Sequence, residues 1–167
     1  GVHKGFSPPG SKEGTLPEES INYELGARLH KRSLTGQAVV FLNDYSNLLG
    51  SDLSAAGGGG TNDHYNGGAV QAMGLETQFS YNLLSRFSTV FNMPLTLVYT
   101  YTNAIFKNTF ESDFDSWGDV QVGDKLPYIA EHQASFLLGI ESKAYGFTVS
   151  GKYVGQMRTT AGPVDVD

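Results

Sequence analysis

The sequence predicts an all-β protein: a segment of an antiparallel transmembrane β-barrel, about six meander strands long, that this chain alone does not close. Three observations predict it. Six segments alternate apolar and polar residues with period two, which places alternate side chains on opposite faces of a sheet. These segments run about 9–11 residues, the length that crosses a bilayer at a tilt. Short turns alternate with long loops, as on the two sides of an outer-membrane barrel.

The first segment is Ile21–His30. Ile21, Tyr23, Leu25, Ala27 and Leu29 share one face, and Asn22, Glu24, Gly26, Arg28 and His30 share the other. Leu34–Tyr45 follows after a short turn, with its pattern blurred by the contiguous Val39, Val40, Phe41 and Leu42. In Met73–Asn82, Met73, Leu75, Phe79 and Tyr81 oppose Gly74, Glu76, Gln78 and Ser80. In Leu95–Thr102, Leu95, Leu97, Tyr99 and Tyr101 oppose Thr96, Val98, Thr100 and Thr102. Gln133–Glu141 sets Ala134, Phe136, Leu138 and Ile140 against Gln133, Ser135, Gly139 and Glu141. Tyr145–Gln156 sets Tyr145, Phe147, Val149 and Tyr153 against Thr148, Ser150, Lys152 and Gln156.

The connections sort by length. Residues 31–33 and 142–144 are short, 83–92 is intermediate, and 46–67 and 106–125 are long. The long ones carry loop chemistry, AAGGGGTND at 55–63 and ESDFDSWGD at 111–119. Together with the N-terminal GVHKGFSPPGSKEG they are expected to cluster on the cell exterior. Lys31, Arg32, Arg86 and Lys143 fall on the opposite, short-turn side.

Composition narrows the function. There is no cysteine, which removes disulfides, zinc–thiolate sites and cysteine nucleophiles. The net charge of -6 argues against a nucleic-acid partner, since phosphate binding calls for clustered Lys and Arg. No apolar run is long enough for a transmembrane helix, and GVHKGFSPPG has no apolar signal core. The alternation also suits a soluble β-sandwich ligand-binding module, with the apolar face inward, or an outer-membrane adhesin or enzyme barrel. Tyr81, Tyr101, Tyr145 and Tyr153 near the ends of apolar stripes favour the membrane, where aromatic residues form interfacial girdles.

Several stretches carry a resemblance. GVHKGFSPPG, PEESINYELGARL (17–29), VVFLNDYSNLLGSD (39–52), LTLVYTYTNAIF (95–106), GDKLPYIAEHQ (123–133) and GKYVGQMRT (151–159) resemble the barrel of TonB-dependent outer-membrane receptors. The likeness runs from Gly1 to about Gly162 and leans to the iron-dicitrate and siderophore receptor branch. It implies a piece of the C-terminal part of a 22-stranded barrel, in the outer membrane of a Gram-negative bacterium. It implies ferric chelate as the ligand of the parent receptor, outer-membrane lipid around the barrel, and a plug domain and TonB acting through that parent. Residues 1–167 are expected to be one partial barrel domain, with no plug, TonB box or terminal strand. Energised import then belongs to the parent receptor.

Ferric chelates of this type are often anionic, and Lys and Arg suit them. Lys4, Lys12, Lys107, Lys125 and Arg158 lie at or near the long-loop side. The candidate ligand residues are His3, Lys4, His64, Lys107, Trp117 and Arg158. No catalytic residue, metal site or cofactor is expected. Asp113, Asp115, Gly118 and Asp124 partly follow a calcium-loop spacing, but Trp117 stands where an oxygen ligand belongs. The glycine run 57–60 lacks the Lys-Ser/Thr of a phosphate loop. In GDKLPYIAEHQ, alternation puts Glu131 and Gln133 on the lumen face and His132 on the opposite one. Glu131 and His132 are therefore not a simple pair. Pro127 is expected at the start of that strand.

Overall fold

The computed structural model describes residues 1–9, 14–51 and 64–163, and these described residues form eleven strands. They are β1 (Val2–Ser7), β2 (Glu18–Lys31), β3 (Leu34–Ser46), β4 (Leu49–Ser51), β5 (His64–Asn66), β6 (Val70–Asn82), β7 (Pro94–Phe106), β8 (Phe110–Glu111), β9 (Asp119–Val120), β10 (His132–Glu141) and β11 (Gly146–Val154). Seven of them make one sheet in the order β1-β2-β3-β6-β7-β10-β11, each antiparallel to its neighbour. β4 with β5 and β8 with β9 are small hairpins inside the long connections. The sheet is an open meander with β1 and β11 at its edges, short of the eight strands of the smallest lipid-facing barrels.

All six expected strands are present, and the sheet has one more. The seventh is β1. Its residues were expected to be exterior loop, yet Val2–Ser7 pairs in register with Glu18–Tyr23. The stripe Val2, Lys4, Phe6 is interrupted by a charge and is only six residues long, so period two barely shows. Several strands also run past the apolar stripe at the loop end. β6 starts at Val70 and β7 reaches Phe106, because backbone pairing continues where the side chains change character.

Register fixes the two faces. Leu25, Val40, Leu75, Tyr101 and His132 are successive cross-strand partners on one face. Arg28, Gln37, Gln78, Val98, Ser135 and Lys152 are successive partners on the other. Polar groups join across the second face: Gln37 Nε2 donates to Gln78 Oε1 at 3.3 Å, and Ser80 Oγ lies 3.0 Å from Thr96 Oγ1. Among the described residues nothing covers the apolar face. Leu25 is 75% and Phe147 69% exposed. A soluble sandwich buries this stripe; here it is the outer surface of a wall made to lie against lipid.

The blurred pattern of β3 has a steric explanation. Val39 and Phe41 share the lumen face with Glu24 and Gly74. The Phe41 ring lies over Gly74, where a Cβ would sit 2.6 Å from Phe41 Cζ and 2.0 Å from the Tyr101 carbonyl oxygen. The ring fills space that only a glycine leaves, so an aromatic residue is accommodated on an otherwise polar face.

The short connections fall at one end. Arg32, at φ 50°, makes the β2–β3 turn, residues 83–93 join β6 to β7, and Ser142 Oγ closes the β10–β11 turn by accepting from Tyr145 N at 3.1 Å. Lys31, Arg32, Arg86 and Lys143 are at this end, as expected. The long connections leave the other end. All of AAGGGGTND, the glycine run included, and Lys12 lie outside the described residues.

Candidate functional site

The loop end holds the buried core. Tyr45, Val70 and Phe106 are neighbours across β3, β6 and β7 at the lumen-side rim. Phe114, Trp117 and Val120 from the β8–β9 connection pack down on them, joined by Leu48, Tyr65, Phe110, Leu126 and Ala161. Trp117 makes edge contacts with Phe106, Phe110 and Phe114 at ring-centroid separations of 5.9, 6.0 and 5.0 Å. Tyr65 stacks on Phe114 at 5.2 Å. The indole also lies on Gly50 and Gly67, where any Cβ would approach it to 2.6 and 2.7 Å. The two long connections are therefore one packed cap.

Backbone hydrogen bonds tie the cap to the rim. Leu48 N donates to Gly68 O at 2.9 Å, Lys107 N to Ala69 O at 2.8 Å, and Phe106 N to Asp124 O at 2.9 Å. Asp124 is buried, and its carboxylate accepts from Gln121 N at 2.9 Å. That assigns Asp124 to a turn rather than to a cation. Among the described residues no three His, Asp or Glu side chains are grouped to hold a metal ion.

Residues 121–131 re-enter the sheet differently from expectation. β10 begins at His132, not near Pro127. The intervening residues lie against the end of β7 and the tail that follows β11. Lys125 bridges both Ile105 and Gly162, and Tyr128, at φ 61°, donates its N–H to Arg158 O at 2.8 Å. Tyr128 OH lies 3.3 Å from Ser116 Oγ. The regular pairing that Pro127 was expected to start is replaced by an irregular segment whose partners lie on the end of β7, in the β8–β9 loop and in the tail after β11.

A cleft of about 350 Å³ opens beside this segment, lined by Lys125, Leu126, Ile129, Glu131, Gln156, Met157 and Arg158. Its polar groups come from register. Gln133 and Val154 are partners on the lumen face, and Gly155 N donates to His132 O at 2.8 Å. That carries the pairing one step on and brings Glu131 and Gln156 to the lumen side. Lys125 Nζ and the Glu131 carboxylate form an ion pair. Arg158 Nη2 donates to Pro163 O at 2.8 Å. His132 points the other way, onto the lipid face. Its Nδ1 is 2.9 Å from Tyr99 OH, and its ring lies beside Tyr101.

The six candidate ligand residues are dispersed. His3 is on the lumen face of β1, opposite Asn22, and Lys4 is on the outer face, 3.5 Å from Glu19. Both belong to a strand rather than to a loop. His64 opens β5, its Nδ1 buried and without a hydrogen-bond partner among the described residues. Lys107 is exposed just past β7. Trp117 is 6% exposed. Arg158 lines the cleft. The cap brings the hairpin of His64 against the loop of Trp117, and Ala161 N donates to Ser116 O at 2.8 Å, drawing in the tail of Arg158. Glu131 and Gln156, absent from the sequence candidates, line the same cleft. Their shared lumen-side parity is the signal that points to them.

A meander with a lipid-facing apolar side, a polar inner side, tight turns at one end and a packed cap of loops at the other defines a class: part of the wall of an outer-membrane β-barrel. Residues 3–166 match the family described as TonB dependent receptor-like, beta-barrel. The chain belongs to that family. Its barrels reside in the Gram-negative outer membrane and serve ligand uptake coupled to TonB, not catalysis.

Proposed function

We propose that this chain supplies part of the wall and of the exterior cap of a receptor that imports a ferric chelate of citrate or siderophore type. The plug domain and TonB act through the parent receptor, in which residues 1–167 form a partial barrel domain. The reading is carried by the likeness of PEESINYELGARL, VVFLNDYSNLLGSD and LTLVYTYTNAIF to the iron-dicitrate and siderophore branch. In this reading Lys107 and Arg158 contact the ligand, His64 and Trp117 shape the loops beside it, and His3 and Lys4 contribute from the rim at β1.

The test is iron-limited growth and uptake of radiolabelled iron by cells with and without the receptor. Ferric citrate and ferric siderophores are supplied one at a time. Loss of uptake for one of these chelates is expected. Unchanged uptake for every ferric chelate, with loss of a substrate that carries no iron, sinks the reading.

A further inference from the structure

We infer that the cleft between Lys125, Glu131, Gln156 and Arg158 is a carboxylate subsite on the cargo's path, with Glu131 as a resident competitor. The inference rests on the ferric-chelate reading for its cargo, but its own content is the recognition of carboxylate. Four observations lead to it. Glu131 and Gln156 reach the lumen face at the loop end, where a ligand enters, and not the lipid face. The cleft holds two cations and one anion. Lys125 is neutralised by Glu131, whereas Arg158 has no carboxylate partner among the described residues and donates only to a backbone carbonyl. Leu126, Ile129 and Met157 complete the lining of a cleft that stays open to solvent, with Met157 half exposed, so an incoming ligand can reach the charged groups.

A planar guanidinium with free N–H groups matches a carboxylate in shape as well as charge. Gln156 adds a neutral donor. Glu131 repels an incoming carboxylate and holds Lys125, so the site is selective for ligands with enough negative charge to compete. The two charged groups therefore act in opposite directions, which a purely structural role does not produce.

The experiment uses the full-length receptor purified in detergent, with outer-membrane assembly of each variant checked by heat-dependent gel migration. Binding is measured for three probes: ferric citrate, citrate without iron, and an uncharged ferric hydroxamate. Arg158→Gln is expected to weaken ferric citrate by about tenfold and leave the hydroxamate unchanged. Arg158→Lys restores part of the loss. Glu131→Gln is expected to tighten ferric citrate by about threefold, because it removes a like charge and frees Lys125.

Equal losses for the charged and uncharged probes overturn the subsite, as does a Glu131→Gln variant that binds ferric citrate more weakly. If Arg158→Gln does not assemble, the sign of the Glu131→Gln effect decides. Binding of citrate without iron, lost in Arg158→Gln, supports the subsite even where the ferric-chelate reading fails. Binding of the hydroxamate alone supports that reading and overturns the subsite. Binding of no probe overturns both.

Discussion

The wall and the cap of this protein are held together by different physics. In the wall, side chains bury almost nothing: its apolar stripe faces outward, and order comes from an unbroken ladder between β2 and β11. Lipid offers backbone groups no alternative partner, so that ladder is obligatory. In the cap, pairing is reduced to two short hairpins, and Val70, Phe106, Phe114, Trp117 and Val120 form a dry cluster. The cap projects into water, where apolar burial drives folding. One chain thus folds by two rules, separated near the rim formed by Tyr45, Val70 and Phe106.

The largest way to break that comparison is Trp117→Ala in the full-length receptor. The indole is buried against three aromatic rings and two glycines, and truncating such a residue costs about 3–5 kcal/mol. The cost is expected to fall on the cap alone. Limited proteolysis should cleave within 107–131 far faster than in the wild type, while urea unfolding of the barrel in lipid vesicles stays put. Barrel and cap failing together would show that the two are one cooperative unit.

The next test sharpens the wall itself. Leu97 and Val98 are sequence neighbours on opposite faces. Leu97→Arg puts a charge in the lipid-facing band and should cost about 2–4 kcal/mol near the bilayer midplane. Val98→Arg puts the same charge in the hydrated interior and should cost well under that. Folding free energies in vesicles compare them directly, and equal costs would refute the assignment of faces. Gly74→Ala should follow at about 1–3 kcal/mol, from overpacking against Phe41 and the Tyr101 carbonyl. Adding Phe41→Ala should recover only part of it, since the carbonyl contact remains.

Legibility in the sequence followed the same division. The wall was readable because period two is a property of each strand by itself. Leu95–Thr102 and Gln133–Glu141 could be placed without knowing their partners, and so could the opposite headings of Glu131 and His132. β1 escaped because Lys4 breaks a stripe of three residues. The cap was not readable. Phe110, Phe114 and Trp117 follow no strand period, and Gly50, Tyr65 and Gly67, on which Phe114 and Trp117 pack, are about 49–67 residues distant. The candidate site suffered likewise. Arg158 was singled out from its charge, but the cleft it lines depends on the segment 125–131, which pairs with Gly162 and Arg158 themselves.

The smallest expected effect addresses whether polar bonds stabilise the wall's outer face at all. Tyr99 OH and His132 Nδ1 are 2.9 Å apart there, joining β7 to β10. A lone hydrogen bond facing hydrocarbon looks strong, but the unfolded chain in the membrane also finds partners, and measured values in membrane proteins average about 0.6 kcal/mol. Tyr99→Phe keeps the ring and its packing against His132 and deletes only the hydroxyl. It should lower vesicle folding stability by about that amount, with His132→Gln no worse once Tyr99 is already Phe. A loss several times larger would mean that the outer face depends on specific polar contacts as the cap depends on Trp117. The contrast between a wall held by its ladder and a cap held by its side chains would then fail at this row.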